Sequence, residues 1–122
     1  MATIKSYTTV EQSRKLAEIL PLESADMKWY FWKSEIDAPK LPTFGYSKDA
    51  AENYKSTEAV YLPCWSLAAL LGVLPKGYSL GARTNRKYYV CMTHINHNVS
   101  EFDNPVDACY EMILKLHELK ML

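Results

Sequence analysis

The stretch LPCWSLAALLGVLP, Leu62 to Pro75, is the most apolar run in the chain and has a proline near each end. Its length limits what it can become. It falls short of the roughly 18 apolar residues that a membrane span needs. Leu67, Leu70, Leu71 and Leu74 recur at three- and four-residue spacing, which predicts a helix with its apolar face in a core. Pro63 stands just ahead of the expected helix start, and Pro75 ends it. A chain organised round such a segment is expected to be globular. At 122 residues, 48% hydrophobic and 23% charged, it fits one domain over residues 1–122 with no need of metal or disulfide staples.

The flanking patterns supply the other elements. Thr8-Thr9-Val10-Glu11 has the form of a capping box with Thr8 as cap and Glu11 reaching back. It opens a helix that Pro21 stops, with Glu11–Lys15 and Arg14–Glu18 as i,i+4 pairs on its solvent side. Met27 to Lys33, MKWYFWK, predicts a strand with Trp29 and Phe31 on one face and Tyr30 and Trp32 on the other. Residues 34–59 carry little pattern beyond a short edge strand near Leu41 to Tyr46 and a helical turn near Lys48 to Tyr54. A hairpin follows: Tyr78 to Ala82, a turn at Thr84-Asn85 with Asn85 as the left-handed residue, then Arg86 to Ile95. In Asn104-Pro105-Val106-Asp107, a cap, a first-turn proline and a dipole-matching acid announce the last helix. Its apolar stripe is Val106, Cys109, Tyr110, Ile113 and Leu116, and Glu111 and Lys115 pair outside. The order predicts an α+β fold: a small antiparallel β-sheet of three to four strands with about three α-helices packed on it.

The 14 basic and 14 acidic residues cancel, which argues against nucleic acid as a partner and against an anionic membrane surface. The odd set of Cys64, Cys91 and Cys109 fits reduced thiols in a cytoplasmic protein, and MATIKSYTTVEQSRK lacks the apolar stretch of a signal peptide. No G-x-S-x-G, H-E-x-x-H or phosphate-cradling glycine loop occurs, so neither an enzyme activity nor a cofactor is expected.

Four groups of residues remain as candidates. Cys64 at a helix start would have its thiolate favoured by the helix dipole, with His94, His97 or His117 as base. Cys91-x-x-His94-x-x-His97 has metal-ligand types, but on a strand Cys91 and His94 diverge, and a structural zinc wants four ligands. Arg83, Arg86 and Lys87 precede Tyr88 and Tyr89, a basic hairpin next to stackable rings such as single-stranded nucleic acid uses. Trp29, Tyr30 and Trp32, with Tyr46 downstream, put aromatics on both faces of one strand, so one face is expected to meet a partner.

Three blocks, LAEILPLESADM, LPCWSLAALLGVLP and NPVDACYEMILKLHEL, resemble in content and order a group of small uncharacterised proteins of gut bacteria, their phages and mobile elements. The resemblance covers about a third of the chain. It implies a small accessory protein of a bacterial cytoplasm or phage-infected cell, and it carries no activity, cofactor or site residue. The expectation is a non-catalytic interaction protein that binds a protein partner, including a second copy of itself, through Trp29, Tyr30, Trp32, Tyr46, Arg83, Arg86 and Lys87. The alternatives are a nucleic-acid-associated protein using the basic hairpin 83–89, and a metal protein or enzyme using Cys64, Cys91, His94 and His97.

Overall fold

A computed structural model describes residues 5–32, 43–44, 59–92 and 100–122. The described elements run α1 (Val10–Ile19), a single 3-10 turn (Leu22–Ser24), β1 (Met27–Trp32), β2 (Thr43–Phe44), β3 (Ala59–Cys64), α2 (Leu67–Val73), β4 (Tyr78–Ala82), β5 (Tyr88–Met92) and α3 (Pro105–Glu118). The fold is α+β. The described strands form two antiparallel sheets, β2-β1-β3 and β4-β5. The chain divides into two units, Thr8–Ser66 and Met1–Tyr7 with Leu67–Leu122.

In the unit Thr8–Ser66, α1 begins one residue later than the sequence pattern suggests. Thr9 is the cap: its hydroxyl accepts the Gln12 N–H at 3.1 Å, and the Gln12 side chain accepts the Thr9 N–H at 3.0 Å. Thr8 and Glu11 offer the same chemistry one position earlier. Packing decides between them, because Thr8 is wholly buried and its hydroxyl is used in the core. Leu20 closes α1 in an extended conformation just ahead of Pro21, as expected. On the surface of α1 the pair that forms is Lys15–Glu18, at 3.9 Å. Such an exposed, loose contact contributes little.

The start of the LPCWSLAALLGVLP stretch is a strand rather than a helix. Leu62, Pro63 and Cys64 end β3, in register with Trp29, Lys28 and Met27 of β1. Pro63 has no N–H to give a further strand, and β3 lies at the end of its sheet, where a proline is tolerated. The helix starts at Leu67. Only Leu70 of its three leucines is fully buried, and Leu71 is 40% exposed, so α2 is a surface helix with a narrow buried edge.

In the other unit, α3 packs on α2 and on the β4–β5 hairpin. Its start follows the sequence: the Asn104 side chain accepts the Val106 N–H at 2.8 Å, with Pro105 opening the helix and Asp107 in its first turn. Val106, Cys109, Ile113 and Leu116 are buried, and Ala108 joins them, while Tyr110 is only half-buried. Asp107 also pairs with Lys5 at 2.7 Å. The helix ends in a Schellman motif. Lys120 is left-handed at φ 57°, its N–H donates to the His117 carbonyl at 3.0 Å, and the Met121 N–H donates to the Leu116 carbonyl at 2.9 Å.

The hairpin turn also departs from expectation. Thr84, Asn85 and Arg86 form its loop, closed by Arg86 N–H to Arg83 C=O at 3.0 Å and Arg83 N–H to Lys87 C=O at 2.8 Å. The left-handed residue is Arg86, at φ 64°, not Asn85. Asn85 instead accepts the Lys87 N–H with its side chain at 3.1 Å. This is the three-residue hairpin loop in which the third residue takes the left-handed bulge position, normally glycine. Arginine there is strained by about 1 kcal/mol. Arg86→Gly is therefore expected to stabilise the protein by about 0.5–1 kcal/mol in a denaturant titration. A destabilised variant would mean that the arginine side chain makes a contact worth more than the strain.

Candidate functional site

Two polar clusters stand out, one interior and one on the surface. The interior cluster lies in the unit Thr8–Ser66 and centres on Thr8. The Thr8 N–H donates to the Trp65 carbonyl at 3.0 Å, and the Trp65 N–H donates to the Thr8 hydroxyl oxygen at 3.2 Å. That hydroxyl also lies 2.8 Å from the Ser13 Oγ and 3.6 Å from the Cys64 Sγ. The Thr8 carbonyl accepts the Trp29 indole N–H at 3.2 Å and the Cys64 thiol at 3.5 Å. The Trp65 indole N–H donates to the Ser24 hydroxyl at 2.9 Å, and the Asp26 carboxylate holds both the backbone N–H and the hydroxyl of Ser66. Thr8, Ser13, Cys64 and Trp65 are all fully buried.

This arrangement places two of the candidates, Cys64 and Trp29, in the interior. Cys64 ends a strand and does not open a helix. Burial is the largest influence on its thiol and raises its pKa, outweighing the hydrogen bonds from Thr8 and Ser13 that lower it. A buried neutral thiol is a poor nucleophile. Trp29 is only 7% exposed, so it belongs to the core and not to an open face, and its indole serves to anchor the Thr8 carbonyl. The alternation along β1 explains this: Met27 and Trp29 point inward, and Lys28 between them is half-buried with its ammonium 5.8 Å from the centre of the Tyr61 ring. Tyr30 and Trp32 occupy β1 opposite Tyr61 and Ala59. Tyr46, His94 and His97 lie outside the described residues.

Cys91 sits on β5, opposite Ser79, and is half-buried. Cys109 is buried on α3, and burial pushes its thiol up from 9.0 to about 11. The folded protein thus holds this proton more tightly than the unfolded chain does. Its contribution to stability is whole below the unfolded pKa and is lost as pH rises through the folded one. Unfolding free energy should therefore fall by about 2 kcal/mol more in the native protein than in Cys109→Ala as pH goes from ~9 to ~11. Equal alkaline slopes would assign the loss to other groups.

The surface cluster is the hairpin tip, and it gathers Arg83, Arg86 and Lys87 as the sequence suggested. Gly81 lies opposite Tyr89, and the phenol ring covers it so closely that a Cβ on Gly81 would overlap the ring. The guanidinium of Arg83 stacks on that ring, 4.6 Å from its centre. The Nε of Arg83 pairs with Glu101 Oε2 at 3.3 Å, and the Asn85 amide donates to the same oxygen at 3.3 Å. Lys87 pairs with Asp103. Tyr88 and Phe102 exchange backbone hydrogen bonds of 2.7 and 2.8 Å, so the chain at Phe102 runs antiparallel to β5. Glu101 and Asp103 were not anticipated as members of this cluster. The only signal for them in the sequence is two acids flanking Phe102 in SEFDNP.

Among the described residues, no helix is long and apolar enough to cross a membrane, and no three His, Cys, Asp or Glu side chains converge as a metal site. No family model, curated protein or solved structure matches the chain.

Proposed function

We propose that the protein is a non-catalytic interaction protein, an accessory factor of the mobile-element type that the three sequence blocks imply, and that the tip of the β4–β5 hairpin contacts a protein partner. The observation that carries this reading is the stack of Arg83 on Tyr89 over Gly81. Arginine and tyrosine are the residues over-represented at the energetic centres of protein interfaces. A long arginine side chain ordinarily loses much freedom on binding. Here the ring already holds the guanidinium in place, which lowers that cost. Arg83 is exposed, and Arg86 beside it is exposed too.

The test is capture of the partner from the native host, comparing the native chain with Arg83→Ala and Gly81→Ala. Arg83→Ala removes the charge, whereas Gly81→Ala keeps the charge and evicts the Tyr89 ring on which it rests. Loss of the same captured protein in both variants, with melting temperatures close to native, supports the reading. Capture that survives both variants removes the hairpin from the interface. Binding of oligothymidylate by the native chain that Arg83→Ala abolishes would replace a protein partner with single-stranded nucleic acid. If the partner is a second copy, light scattering on the purified chain will show a concentration-dependent dimer.

A further inference from the structure

The hairpin tip is not vacant. Phe102 is laid antiparallel to β5 at a single bridge, fixed by the two backbone hydrogen bonds between Tyr88 and Phe102, with Glu101 before it and a bend at Asp103 after it. Here the two acids meet the two cations, Glu101 with Arg83 and Asp103 with Lys87. Within this chain the tip therefore holds an acid-x-acid sequence through both backbone and charge.

We infer that the hairpin tip is a docking site for an acid-x-acid segment of a partner protein, and that the chain's own Glu101–Phe102–Asp103 occupies that site when no partner is bound. The inference rests on the hairpin being the contact surface, and it specifies the chemistry of the partner. Two observations favour an acidic protein segment over other anions, and a third leaves the tip a cation to offer it. The existing occupant is peptide, held in part by its backbone, which a phosphate chain cannot imitate. The chain has no net positive charge to draw in nucleic acid. Arg86 is exposed at the tip, and no ion pair of its guanidinium forms among the described residues, so an incoming segment meets a cation that the internal acids leave unneutralised.

The two internal ion pairs are exposed: the side chains of Arg83 and Glu101 show 47% and 37% of their surface, and those of Lys87 and Asp103 show 40% and 85%. Pairs of this kind are weak enough to exchange with an external acid, each being worth a few-fold in an equilibrium. The internal segment then acts as a mild competitor, raising the threshold a partner must exceed without closing the site.

The experiment uses the full chain and a fluorescein-labelled peptide of residues 100–105, Ser-Glu-Phe-Asp-Asn-Pro, with binding read by fluorescence anisotropy. Glu101→Gln with Asp103→Asn keeps the shape of the internal segment and removes its charge. This double variant is expected to bind the peptide about fivefold more tightly than the native chain, consistent with two exposed pairs. The gain should disappear when Arg83→Ala and Lys87→Ala are added, and should shrink with salt. Thermal melts of each variant confirm that the hairpin is folded. No gain in the double variant would sink the inference and leave the two pairs as surface ornament. An equal gain for oligothymidylate would overturn it in another way, since the tip would then recognise anions in general. If partner capture survives both Arg83→Ala and Gly81→Ala, the hairpin reading itself has failed; if capture responds but the fivefold gain is missing, only the internal occupant has.

Discussion

Replacing Trp65 with alanine is expected to lower the unfolding free energy by about 3–5 kcal/mol, the usual range for removing a fully buried large aromatic. Trp65 is the largest of the fully buried side chains among the described residues. Its indole N–H is tied to the Ser24 hydroxyl, and its backbone to Thr8 on both sides. Against the about 5–15 kcal/mol by which a domain is ordinarily stable, that is from about a fifth to all of the total. Urea titrations followed by far-UV circular dichroism read the effect directly. Trp65→Phe separates its parts, since it keeps most of the apolar volume and loses the hydrogen bond to Ser24. A cost for Trp65→Phe close to that for alanine would show that the hydrogen bond matters more than the packing.

Thr8→Val is expected to have the second largest effect, about 2–4 kcal/mol. The substitution is nearly isosteric, so it leaves no cavity. It removes the oxygen that accepts the Trp65 N–H and partners the Ser13 hydroxyl, leaving two buried polar groups without that partner. Each such group costs about 1–3 kcal/mol. Thr8→Ser keeps the oxygen and loses a methyl group, for about 1 kcal/mol. The order Val worse than Ser is therefore the signature of a hydroxyl-centred core, and the reverse order would show that the methyl is what matters. Ser13→Ala added to Thr8→Val should cost less than it does alone, because its partner is already gone.

The two helix starts differ in how well a local pattern determines them. Asn104-Pro105-Val106-Asp107 has only one way to cap a helix, and α3 begins there. Thr8-Thr9-Val10-Glu11-Gln12 offers two capping boxes a residue apart, and both are chemically sound. The choice of Thr9 depends on the burial of Thr8 against Trp65, a contact that local spacing does not reveal. Pro63 was ambiguous for a similar reason. A proline before an apolar run can precede a helix or sit in an outer strand, and here the pairing of Leu62, Pro63 and Cys64 with Trp29, Lys28 and Met27 decides. Trp29 illustrates the limit of composition: an aromatic strand says that much apolar surface exists, but not which ring lies inside. At the hairpin, the basic residues were legible and their tethers were not, because Glu101 and Asp103 reach them only after the chain has turned back along β5.

The link between Thr8 and Trp65 also sets a timetable. The two residues are 57 positions apart, so the hydrogen bonds that join them close a long loop. Contacts of such separation form only after the intervening chain has paid its entropy, which slows folding relative to helices built from neighbours. During synthesis, α1 emerges early with its capping box complete, yet the polar side chain just ahead of it waits for Trp65 to be made. Until then the hydroxyls of Thr8 and Ser13 face water, and the helix is held by local bonds alone. The unit is thus expected to lock in one late step and not grow gradually from its N-terminus.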